Sequence, residues 1–129
     1  MIGWIYKDKL DPKLVATMEA YDAYLAEHFP GAVIKVHEDW AVDGHTANSE
    51  HYAGRAVDYS VQGASLVEAW LALERFPFNG IGIYPYWNSP GLHADVRAAS
   101  YRARWTRDMD ENYGAVGEDT LRALTGDRV

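Results

Sequence analysis

Two histidines and an aspartate could do chemistry together: His51, Asp58 and His93. Two imidazoles and one carboxylate are a three-ligand set of the kind that catalytic zinc uses, with a fourth position left for water. The charge balance explains the types. Two neutral nitrogens and one anion leave the centre net positive, so the pKa of bound water falls toward about 7 and hydroxide is available at neutral pH. The chain has no cysteine. A metal must therefore sit on His, Asp or Glu, and disulfides and thiolate nucleophiles are excluded.

The surroundings of the three residues are patterned. Ser49, His51, Gly54, Ala56 and Asp58 fit S-x-H-x-x-G-x-A-x-D. Gly80-Ile81-Gly82-Ile83-Tyr84-Pro85 fits G-[IV]-G-x-Y-P, and His93, Asp95 and Arg97 follow as H-x-D-x-R. On these two segments, which span residues 49–97, the chain resembles the zinc D-alanyl-D-alanine carboxypeptidases and murein endopeptidases, whose core is shared by the Hedgehog signalling domain. Arg104-Trp105 shortly afterwards also suits that family. The resemblance implies one Zn²⁺ per chain on His51, Asp58 and His93. It also implies a small, mainly antiparallel sheet flanked by helices, and an amide bond in peptidoglycan stem peptides or cross-links as the target.

Residues two apart on a strand point the same way, so His93, Asp95 and Arg97 should share a face, as should Ala56 and Asp58. Asp95 is then either the carboxylate that serves as general base or an orienting partner for an imidazole N–H. The general base needs a source, because family branches place an acid shortly before the last histidine and residues 75–94 contain no Asp or Glu. Asp95 is the first choice, followed by Glu38, Asp39, Asp43 and Glu50. Relatives also carry an arginine upstream that suits a substrate carboxylate. Here the stretch reads Val36-His37-Glu38-Asp39-Trp40, so Arg97 or Arg55 would serve instead. His37 and His45 are either oxyanion donors or ordinary loop histidines. Tyr84, with Tyr86 and Trp87, either walls a substrate groove or packs in the core and loop.

The elements that must position these residues follow from periodicity. Asp11-Pro12 caps a helix whose apolar stripe is Leu14, Met18, Tyr21, Leu25 and Phe29, and Pro30-Gly31 ends it. Residues 32–36 and 56–61 read as strands, with a long polar loop over 37–55 between them. Ser65 and Glu68 form a capping box for a second helix. Residues 79–84 and 91–96 read as two more strands, residues 101–105 as a short helix, and residues 118–124 as a final turn or helix. This order predicts a single α+β domain over residues 1–129.

The net charge is −7, with 19 acidic and 12 basic side chains, which argues against a nucleic-acid partner. No apolar run approaches the roughly 18 residues of a membrane span, and the start shows no evident export signal. A bacterial cytoplasmic or phage-encoded protein that acts at the cell wall, of endolysin type, is the expectation. The alternative is a non-catalytic binding module in which zinc is a structural clip.

Overall fold

The computed structural model describes residues 2–99 and 101–125. Helix α1 (Pro12–His28) starts where the Asp11 carboxylate accepts the Lys13 N–H at 2.8 Å, and it buries Leu14, Met18, Tyr21 and Leu25. Helix α2 (Leu66–Leu73) opens with the expected capping box, closed in both directions between Ser65 and Glu68. Helix α3 spans Glu118–Thr125. Among the described residues no helix is long and apolar enough to cross a membrane.

Among the described residues six strands form one sheet: β1 (Val33–Glu38), β2 (Ala56–Gln62), β3 (Gly80–Tyr84), β4 (Gly91–Asp95), β5 (Ala103–Arg107) and β6 (Tyr113–Gly114). Their order is β1-β2-β4-β3-β5-β6, and every pairing is antiparallel except β3 with β5. The fold is α+β, as expected.

Alternation along the strands divides the sheet into two faces. Val57 and Tyr59 of β2, Ile81 and Ile83 of β3, and Leu92 and Ala94 of β4 join the core with the buried residues of α1 and α2. Within that core Tyr59 donates to the Tyr21 hydroxyl at 3.0 Å, and Tyr21 donates to the Ala69 carbonyl at 3.0 Å. Two fully buried phenols thereby satisfy their polar ends. The opposite face carries Asp58, His93, Asp95 and Trp105.

Two expectations need correction. Residues 101–105 are not helical: residues 103–107 form β5, parallel to β3, with the Thr106 hydroxyl donating to the Ile83 carbonyl at 2.8 Å. The segment has period two. Trp105 faces the site, while Arg104 turns to the helix side and grips Glu74 with two nitrogens at 2.7–2.9 Å. The first strand also runs on to Glu38, so the polar loop starts at residue 39.

Candidate metal centre

Register sets the strand half of the site. Asp58 of β2 is paired with His93 of β4, which is paired with Gly82 of β3, and Gly82 is paired with Trp105 of β5. Four neighbouring strands thus present one transverse row. Glycine is required within it by close approach: a Cβ at residue 82 would stand 2.6 Å from Trp105 Nε1 and 2.7 Å from the Tyr84 hydroxyl. Gly80 has the same role one row away, where a Cβ would collide with the Asp95 carboxylate. The G-x-G-x-Y pattern is the space left for these side chains.

His51 comes from the loop. Ser49 Oγ accepts the His51 N–H at 3.3 Å, and Gly54 turns the chain at φ +68°, packed so closely on the Lys9 carbonyl that no side chain fits. The decisive partner is Asp39, which is fully buried. Its carboxylate accepts the N–H groups of Ile5, Tyr6 and Trp40 at 2.7–3.1 Å, and its carbonyl accepts from His51 Nδ1 at 2.7 Å. Asp39 was a candidate base; the structure makes it the anchor that aims His51.

His51 Nε2 lies 3.2 Å from Asp58 Oδ2, and His93 Nδ1 lies 2.8 Å from Asp58 Oδ1. The outer nitrogen of each ring is committed, His51 Nδ1 to the Asp39 carbonyl and His93 Nε2 to Asp95 at 2.7 Å. Such outer partners select the tautomer that turns a lone pair inward. The three inward groups lie within 4.8 Å of one another, and both histidines are buried. This donor set fits a metal ion. Glu38, His45 and His51 also cluster within 4.8 Å, but the His51 nitrogen nearest Glu38 is Nδ1, at 3.9 Å. That nitrogen already serves Asp39, so the second cluster is not a second centre.

The charges in this row are tightly coupled. Burial disfavours a charged His93 ring, but hydrogen bonds to Asp58 and Asp95 outweigh it and push its pKa up to about 9. His51 is raised by Asp58 in the same way, again against burial. Burial would raise the Asp58 pKa, yet its bonds to His51 and His93 hold it well below the usual carboxylate range.

Asp95 is fully buried, and Arg97 Nε and Nη2 donate to its two oxygens at 2.9 and 2.7 Å. With His93 on the same carboxylate, Asp95 has the geometry of the orienting partner, one of the two roles its position suggested. Arg97 spends its fork there and lies over the Trp105 ring, 5.1 Å from the centroid. Of the other acids, Glu50 pairs with Arg55 at 2.8 Å and Asp43 is exposed.

Glu38 stands apart. The ladder between β1 and β2 slips between Val36 and Glu38, so that Glu38 rather than His37 comes opposite Asp58. A bulge of this kind re-aims a side chain. Its carboxylate is hydrogen-bonded by His45 Nε2, and the His45 ring stacks on His51 with centroids 4.5 Å apart. Tyr52 fixes His45, accepting its N–H and donating to its carbonyl, both at 2.8 Å. His37 instead reaches Ser60 Oγ at 3.0 Å.

The triad floors a cleft of about 740 Å³ walled by Tyr84, Trp87, Trp105 and Arg107. Asp58 and Trp87 also border a neighbouring hollow that Glu38 lines. No protein-family model matches this chain, and no curated protein is significantly similar to it.

Proposed function

We propose that the protein is a zinc-dependent peptidase that hydrolyses an amide bond in murein stem peptides or cross-links. The observation that carries this reading is the inward convergence of His51 Nε2, Asp58 and His93 Nδ1, with both outer nitrogens anchored, at the floor of an open cleft. Three protein ligands with a position left open are the usual form of a hydrolytic zinc site. The two motif segments, and the family they resemble, supply the substrate class.

When bound, zinc supplies a Lewis acid and acidifies a coordinated water. The residues of the chain do the rest. Glu38, beside Asp58 through the bulge and partnered by His45, takes the proton from the attacking water and passes it to the leaving nitrogen. Asp39 and Asp95 keep the two imidazoles aimed. The stacked rings of Tyr84 and Trp87, 4.2 Å apart, form an apolar wall for the peptide.

Defined muropeptides incubated with zinc-loaded protein should yield a product shortened by D-alanine or a split cross-link by mass. Glu38→Gln should retain zinc and lose roughly 10²–10⁴-fold in turnover, the usual share of general acid–base catalysis. The full engagement of Asp95 and the lack of any acid in residues 75–94 favour a second reading, a zinc-stabilised binding module. Zinc-loaded protein that binds a muropeptide and cleaves none would establish that reading in place of the first.

A further inference from the structure

The cleft holds one polar group whose arrangement the metal centre does not explain. The Tyr84 hydroxyl lies 2.7 Å from Trp105 Nε1. An indole N–H can only donate, so the Tyr84 oxygen is the acceptor and its own proton is left over. Among the described residues no acceptor takes that proton. Everything around the pair fixes its direction. The Tyr84 ring is stacked on Trp87 with an interplanar angle of 8°. The Trp105 ring is held between His93, 5.1 Å away by centroids, and the Arg97 guanidinium. Gly82 is bare where the indole and the phenol meet. Tyr84 is only 6% exposed, yet it lines the same cleft as His51, Asp58 and His93.

We propose that Tyr84 is the hydrogen-bond donor to the oxygen on which negative charge develops when the scissile amide is attacked, and that Trp105 is its positioning residue. The proposal rests on the peptidase reading. As the attacking oxygen bonds to the carbonyl carbon, the π pair moves onto the carbonyl oxygen. The Tyr84 O–H bonds to that oxygen and keeps its proton. The pair returns when the C–N bond breaks, and the leaving nitrogen takes its proton from Glu38. A preorganised donor strengthens as charge appears and needs no reorientation. Burial, opposed by the Trp105 bond and reinforced by the nearby Asp58 charge, raises the Tyr84 pKa, so the donor stays protonated. Of the two histidines the sequence offers as donors, His45 is bound to Glu38 and His37 to Ser60.

The test is calorimetric binding of a D-Ala-D-Ala phosphinate, whose anionic tetrahedral centre mimics the attacked amide, to zinc-loaded protein. Tyr84→Phe keeps the ring and its stack, so zinc affinity should be unchanged while phosphinate affinity falls about 10- to 100-fold, as for a lost hydrogen bond to a charged group. Trp105→Phe should lose several-fold. The double variant should be no worse than Tyr84→Phe alone, because the two residues act as one unit. Tyr84→Phe binding the phosphinate as tightly as wild type, or wild type not binding it, overturns the proposal. If Tyr84→Phe fails to fold, undiminished affinity in Trp105→Phe overturns it instead. If the phosphinate results hold but wild type cleaves no muropeptide, the peptidase reading falls and the catalytic role of Tyr84 falls with it, leaving Tyr84 as a donor to a bound anion. Cleavage by wild type with an indifferent Tyr84→Phe gives the reverse.

Discussion

The candidate metal site is assembled from two regions built by different physics. Asp58, His93 and Trp105 sit in one row across β2, β4 and β5, with Gly82 of β3 between the last two, and their separations follow from ladder register and strand spacing. Glu38, His45 and His51 come from the end of β1 and the loop after it, where individual side-chain to backbone bonds set the geometry: Asp39 for His51 and Tyr52 for His45. The strand half is held by a cooperative sheet over a packed core. The loop half hangs on a few bonds, two of which tie it to Ile5 and Tyr6. A ligand set that bridges the two should itself stabilise the arrangement by mass action when metal binds.

Substitutions on either side of that divide should behave differently. The largest effect is expected from Asp39→Ala, which strips the acceptor from three amide N–H groups and so loosens the loop whose Asp39 carbonyl holds His51. Stability should fall by about 3 kcal/mol in urea unfolding, given about 1–3 kcal/mol per unsatisfied buried group, and metal affinity should fall with it. A variant that kept both would show that the loop is held by something else. Asp95→Asn, on the strand side, should be milder. The sheet still places His93, so the fold persists and metal affinity drops about 10- to 100-fold, as for loss of an outer partner. A loss of stability as large as that of Asp39→Ala would erase the distinction between the two halves.

The remaining expectation is a pH dependence. His93 has its pKa raised from 6.5 to about 9 in the metal-free fold, so the folded state binds the extra proton more tightly than the unfolded chain. Its contribution to stability is complete below about pH 6.5 and is lost as pH climbs through about 9. The melting temperature of metal-free protein should decline across that window. Metal affinity should rise over the same range, because a ligating imidazole must first lose its proton. A metal-free melting temperature that rose between pH 6.5 and 9 would contradict this charge assignment.

How much of this was legible beforehand depended on distance along the chain. His51, Asp58 and His93 were readable as a candidate ligand set because their types suit a metal and the two motif segments resemble a zinc peptidase family, and Asp11-Pro12 and Ser65-x-x-Glu68 announce their helices through capping chemistry. Asp39 was not. In sequence it is one acid in a polar loop, and its partners Ile5 and Tyr6 lie more than thirty residues away. The bulge that turns Glu38 toward Asp58 exists only once β1 pairs with β2. Residues 101–105 misread as a helix because the alternation of Trp105 with Arg104 and Thr106 acquires meaning only beside β3. Asp95 was legible as a neighbour of His93, but the Arg97 fork that occupies it follows from packing.

The most direct test of the account is the zinc content of reconstituted wild-type protein beside His93→Ala. Metal analysis after dialysis should find close to one zinc per chain in wild type and almost none in the variant, with the variant still folded by circular dichroism. Wild-type protein without zinc, or a His93→Ala variant that keeps it, would contradict the assignment of His51, Asp58 and His93 as a zinc centre.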